Sequence, residues 1–128
     1  MNRTRSFMTN DKFFFDTYAF IEIIRGNPAY SNYKDCGAIT TLFNIAELNY
    51  NLKKLFDKST ADHYTDLYSS FVVEIEISTV KEAMDFKLQN KKMSMADCIG
   101  YTVAKKYGIK ILTGDNDFRN LSNVEFVK

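Results

Sequence analysis

The first patterned stretch of the chain is KFFFD, residues 12–16, a short apolar run of the kind that is buried on both faces of a parallel sheet. Next, TYAFIEIIRGN places Ala19, Ile23 and Ile24 on one helical face and ends at Gly26-Asn27-Pro28, a strong stop signal. DCGAIT (35–40) predicts a second strand. Residues 41–57 set Ile45, Leu48, Leu52, Leu55 and Phe56 at helical spacing. A third helix fits STADHYTDLYSSF (59–71), with a Ser59/Asp62 capping-box pattern and a stripe of Tyr64, Leu67, Tyr68 and Phe71. VVEIEI (72–77) alternates and predicts a strand near a sheet edge. Residues 79–92 are helical through Val80, Met84 and Leu88, and 94–108 form a helix between the cap Ser94 and the stop Gly108. IKIL (109–112) and VEFV (124–127) are the last strands, with a short helix at 116–120 between them.

This order, β-α-β-α-α-β-α-α-β-α-β, predicts a single α/β/α domain over residues 12–128. Its sheet is mostly parallel and roughly five-stranded, with right-handed crossovers. Residues 1–11 read as a flexible leader or an extension ahead of an alternative start at Met8. In such folds ligand sites form beyond the carboxyl ends of the strands. That rule singles out the polar residues at strand termini.

Composition narrows the classes only a little. The chain has 128 residues, enough for one domain with a real core. Its formal net charge of +1 does not announce a polyanion binder, so any nucleic-acid site must come from local charge. The two cysteines, Cys36 and Cys98, form no CxxC pair, which fits a reduced cytoplasmic protein better than a disulfide scaffold. No apolar stretch approaches the roughly 20 residues of a spanning helix, and none looks like a signal-peptide core. There is no GxxxxGK[ST], GxGxxG or HExxH, and DNDFRN lacks the glycine and final glutamate of an EF-hand loop. His63 has no evident nucleophile partner, and Cys98 reads as a small buried residue.

Four acids remain, each with an ordinary structural explanation. Asp16 ends the FFF strand and is placed to cap the next helix; Asp115 follows IKIL as a turn or cap residue. Asp97 completes a capping box with Ser94, and Glu47 lies away from the apolar stripe of its helix, where a solvated glutamate is the default. What favours chemistry is the joint pattern. All four lie at or near element termini in a fold whose ligand face is built from such termini.

Together, FFFDTYAFIEIIRGN, TTLFNIAELNYNL and MSMADCIGYTVAKKYGIKILTGDNDF resemble the PIN domain, in particular the small VapC-type toxin ribonucleases. In that family an acid ends the first strand, a glutamate lies on the second helix, an aspartate opens a later helix, and TxDxDF closes the series. The matching positions here are Asp16, Glu47, Asp97 and Asp115, with Asp117 as an auxiliary acid. The resemblance implies a metal-dependent endoribonuclease, the toxin of a type II toxin–antitoxin pair. It also implies an RNA substrate, a small antitoxin partner that covers the acidic pocket, and a homodimer. Asp16, Asp97 and Asp115 are then metal ligands, directly or through water. Glu47 holds a second metal or orients the attacking water. Asp117 supports the site, and Thr113 bonds Asp115 or a metal water.

Physical chemistry sets the terms of such a site. Two carboxylates ~5 Å apart at an effective dielectric of ~20 repel by about 3 kcal/mol, so a cluster needs protons or cations. An all-oxygen donor set favours Mg²⁺ or Mn²⁺ over zinc. Substrate binding needs positive charge nearby; the candidates are Arg25, Lys54 and Lys92, with Lys53, Lys91, Lys105 and Lys106 as further ones. Three other readings stay open. They are a stand-alone PIN nuclease in RNA processing or decay, a Mg²⁺-binding receiver-like signalling domain, and an inactive PIN-like scaffold. Against the receiver, no second acid adjoins Asp16 after the first strand.

Overall fold

A computed structural model describes residues 11–128; the expectation for the leader falls almost wholly outside the described residues. Four parallel strands form one sheet: β1 (Lys12–Phe15), β2 (Gly37–Ile39), β3 (Lys110–Thr113) and β4 (Val124–Phe126), in the order β2-β1-β3-β4. Phe14 is in register with Ile39 on one side and Ile111 on the other. The two central strands, β1 and β3, each begin with an exposed lysine and continue with three buried residues. This is why FFF reads as an unbroken apolar run: successive side chains point to opposite faces, and both faces are covered.

The helices are α1 (Thr17–Ile24), α2 (Leu42–Leu55), α3 (Lys58–Tyr68), α4 (Ile77–Gln89) and α5 (Met95–Lys106). Phe13, Phe15 and Leu112 join Phe20 of α1, Leu48 and Leu52 of α2 and Ala61 of α3 in one core. Phe14 and Ile111 face the other way, packing with Ala83 of α4 and Ile99, Val103 and Ala104 of α5. The α/β/α layering follows from that alternation along β1 and β3.

Three local expectations are corrected. VVEIEI is not a strand: Val72 makes one parallel bridge to Thr40, and the chain then leaves to start α4 at Ile77. Val73 and Ile75 do pack against the α4/α5 core, so the alternation reflects burial rather than ladder pairing, and it brings the sheet only to the threshold of a fifth strand. The cap of α3 is Asp57, whose side chain accepts from the Thr60 N–H; Asp62 instead pairs with Lys58 and Lys53. Helix α4 buries Thr79 and Ala83 and leaves Leu88 exposed, a phase different from the Val80/Met84/Leu88 stripe. Small residues win that face because α4 lies closely against α5.

Candidate active site

Each acid is carried to the site by a different element. Asp16 is the first residue after β1 and occupies the N-cap position of α1, yet its carboxylate makes no capping hydrogen bond. It turns inward, is 2 % exposed, and takes two donors from distant elements. The Asn44 amide of α2 donates to Oδ1 at 3.2 Å, and the Thr113 hydroxyl at the end of β3 donates to Oδ2 at 2.8 Å. Asn44 also donates to the Thr17 hydroxyl and accepts from Thr41, so its own amide is fixed in orientation. Thr17 in turn donates to Glu47 Oε1 at 3.1 Å. One chain of hydrogen bonds therefore links Thr41, Asn44, Asp16, Thr17, Glu47 and Thr113.

Asp97 sits in the first turn of α5, where the capping box with Ser94 is complete: the Asp97 N–H donates to Ser94 Oγ and the Ser94 N–H donates to Asp97 Oδ2. The capping explanation is thus correct for one oxygen and leaves the other. Asp115 follows β3. Its N–H donates to the Thr113 hydroxyl at 3.1 Å, and its Oδ1 caps a single 3₁₀ turn, Asn116–Phe118, by accepting from the Asp117 N–H at 2.9 Å. Thr113 therefore braces the Asp16 carboxylate and the Asp115 backbone together.

Asp16, Glu47, Asp97 and Asp115 all line one open cavity of about 380 Å³, with Thr17, Tyr18, Ile21, Asn51 and Ser94. Burial, and then the charge of Asp97, push Asp16 up to about 8, against the opposing bond from Thr113. Burial also drives Asp97 up to about 6, with the charges of Glu47 and Asp115 acting in the same direction. Acids that raise one another in this way form one electrostatic unit, whatever their separation in sequence. A cation can replace the missing protons. Asp97, Asp115 and Asp117 each offer a carboxylate oxygen, and these oxygens lie within 4.8 Å of one another. An all-carboxylate set of that spacing suits a hard divalent ion.

The cations divide into two groups. Arg25 and Lys54 line a second cavity of about 440 Å³ that shares Tyr18, Ile21 and Asn51 with the first. Lys53 is paired with Asp62 and Lys106 with Glu82, while Lys105 lies over the Tyr101 ring. Lys91 and Lys92 are exposed in the turn before α5 and line neither cavity.

Sequence reasoning passed over Asn44, Thr17 and Tyr18. Asn44 carried a signal: it lies four residues before Leu48, on the apolar stripe of α2, where a polar side chain needs a buried partner. Gly114 had one too. A Cβ there would stand 2.3 Å from the Val127 carbonyl oxygen and 2.5 Å from the Tyr18 ring, so only glycine lets Tyr18 pack against the strand end beside Asp115.

The sequence pattern of the PIN domain family matches residues 13–124. Among curated proteins none matches the chain significantly. Solved structures share the fold, and two of them illustrate it. One is a toxin–antitoxin complex from Klebsiella pneumoniae, with a TM-score of 0.66 and 15% identity over 88% of this chain and 94% of that one. The other is the PAE2754 protein of Pyrobaculum aerophilum, with a TM-score of 0.62 and 16% identity over 92% and 87% of the two chains.

Proposed function

The chain belongs to the PIN domain family, a family of nucleases, and on that footing we propose that it is a metal-dependent endoribonuclease and the toxin of a toxin–antitoxin pair. One observation carries the reading: four carboxylates delivered by β1, α2, α5 and β3 line a single cavity, and two of them are held above their ordinary proton affinity by burial and mutual charge. Acids held this way in an open cavity fit cation binding better than a structural role.

Mg²⁺ or Mn²⁺ suits this donor set, with Asp97, Asp115 and Asp117 as the clustered oxygens and Asp16 and Glu47 on the same cavity wall. Such an ion supplies Lewis acidity, a more acidic water and compensation for charge building on the phosphoryl oxygens. The chain's own groups do the rest. Asn44 and Thr113 hold the Asp16 carboxylate from both sides, so that it presents a fixed face to the cavity. Thr17 occupies Glu47 Oε1, which leaves Oε2 to hold a second ion or orient the attacking water. The Ser94 box fixes Asp97.

The toxin reading rests on the shared fold with the Klebsiella pneumoniae complex. It is supported by exposed apolar side chains at the first turns of α2 and α5, Leu42, Phe43 and Met95, which a partner protein would cover. A small antitoxin and a second copy of the chain are the partners in this reading. Among the described residues no helix is long and apolar enough to cross a membrane, and the site of action is proposed to be the cytoplasm.

The test uses purified protein and labelled RNA with Mn²⁺, with Mg²⁺ and with EDTA, alongside Asp97→Asn. Cleavage that needs the metal and falls by about 10²–10³-fold in the variant is the expected result, on the scale of losing one electrostatic interaction made in the transition state. Equal cleavage by both proteins, or cleavage that survives EDTA, overturns the assignment. An adjacent reading frame for a short DNA-binding protein separates the toxin from a stand-alone nuclease.

A further inference from the structure

The second cavity adjoins the acidic one through Tyr18, Ile21 and Asn51, but its chemistry is different. Besides those three it is lined by Leu55, Glu22, Arg25 and Lys54. An aromatic ring, aliphatic carbons, a side-chain amide and two cations are the combination that recognises a nucleotide: a face for the base, a donor and acceptor for its edge, and charge for its phosphate. The two cations are also the least committed of those near the site. Arg25 stands 4.0 Å from Glu22 Oε2, at the limit of an ion pair, while Glu22 Oε1 accepts from the Asn27 amide at 2.8 Å. Lys54 lies over the Tyr50 ring rather than against a carboxylate. The neighbouring Lys53, by contrast, is drawn away to Asp62.

Tyr18 is built to hold still. Its ring packs against Gly114 so closely that no side chain fits there, and Tyr30 stands behind it at 6.4 Å between ring centroids. A ring fixed in advance loses little freedom when a base packs on it. Its position on the wall of both cavities puts such a base next to the four acids.

We propose that this second cavity is a nucleotide subsite for single-stranded RNA, with the base adjacent to the scissile phosphate packed on Tyr18 and the following phosphate met by Arg25 and Lys54. The proposal rests on the nuclease reading above and adds to it a fixed place for one unstacked base, since a base stacked within a duplex has no face to offer Tyr18.

The experiment measures binding rather than cleavage. A fluorescein-labelled single-stranded hexaribonucleotide is titrated with the full chain in Ca²⁺, which offsets the acids, and an abasic residue is moved through each position in turn. The expected result is that at one position loss of the base weakens wild type by about tenfold, the scale of one base–aromatic stack. Tyr18→Ala weakens the intact strand by a similar factor, and the two losses do not compound, whereas Tyr18→Phe binds like wild type. A merely structural role for Tyr18 would instead multiply with the abasic loss. Replacing Arg25 and Lys54 by alanine together lowers the salt dependence, by roughly 0.7 in log–log slope for each phosphate that is no longer neutralised. Losses that multiply at every position overturn the proposal. So does a hexanucleotide that binds no better than its fully abasic counterpart, which leaves the cavity to a polypeptide. Coupling in Ca²⁺ without cleavage in Mn²⁺ would remove the nuclease reading and keep the subsite; cleavage without coupling would do the reverse.

Discussion

Asp16 and Asp117 bear the same carboxylate at the same end of the same sheet, and the protein holds them in opposite ways. Asp16 is buried and gripped by Asn44 and Thr113, residues 28 and 97 positions away in sequence. Asp117 is exposed, and its placement comes from a local turn in which its own N–H donates to Asp115 two residues earlier. One half of the site is therefore made by the folding of the whole domain and the other by a short piece of chain. Perturbing the first should register in stability and proton binding as well as in chemistry, while perturbing the second should register in the affinity for the ion alone.

The largest expected effect is at Asp16. Its folded-state value of about 8 lies above the ordinary 3.8, so the metal-free folded protein binds more protons than the unfolded chain between those limits. The group's contribution is then fully present below pH ~4 and is lost as pH rises through about 8. Between pH 5 and 7 that amounts to about 2–3 kcal/mol for one proton, enough to lower the melting temperature of the metal-free protein by several degrees. Adding Mn²⁺ should restore stability at pH 7 by binding the folded state only. Asp16→Asn should reduce the pH slope, leaving the part below pH about 6 that Asp97 contributes, and lower cleavage by roughly 10²–10³-fold, while the protein stays folded. A metal-free melting temperature that rises from pH 5 to 7 would break the contrast between the two halves.

Thr113 tests whether the halves are joined. Its hydroxyl donates to Asp16 and accepts from the Asp115 N–H. Thr113→Val keeps the shape and removes both bonds, leaving a buried carboxylate short of a donor. Outer partners of metal-binding carboxylates are typically worth 10–100-fold in affinity or activity, and a loss of that size is expected here. The loss should grow at pH 6, because without the Thr113 donor Asp16 holds its proton more tightly still. A loss independent of pH would assign Thr113 to Asp115 alone.

The same division explains what was legible in the sequence. FFF and the KILT strand announce themselves because burial on both faces leaves an apolar run. The Ser94/Asp97 box and the Asp115 turn are local, and local hydrogen bonding has a short sequence signature. Asp16 and Asp115 could be picked out from strand ends and Asp97 from a helix start, Glu47 joined them only through the family resemblance, and the structure draws all four to one cavity. What holds Asp16 was not legible, because Asn44 and Thr113 are meaningful only once α2 and β3 flank β1. The segment 72–77 misled for a related reason: alternation reports which side chains are buried, and only the tertiary fold decides whether a strand is there to pair with. At α3 the Ser59/Asp62 pattern pointed to the wrong cap: the Asp57 side chain accepts from the Thr60 N–H and starts the helix at Lys58, while Asp62 is drawn to Lys53 and Lys58.

The smallest expected effect belongs to Asp117, and it sharpens the comparison most. Asp117 contributes an oxygen to the group shared with Asp97 and Asp115, yet it does not line the cavity that holds the four acids. If its charge matters only through the ion, Asp117→Asn should keep the fold, because the bond that forms the turn uses the backbone N–H and survives the change. The melting temperature without metal should stay within about 1 °C of wild type, as for most surface substitutions. Mn²⁺ affinity should fall by a few-fold, the size expected for one exposed charge screened by water and salt. At saturating Mn²⁺ the cleavage rate should then return to that of wild type. A rate that stays low at saturation would place the Asp117 carboxylate against the substrate rather than the ion, and the exposed half of the site would then be doing chemistry that its local, solvent-facing construction gives no sign of.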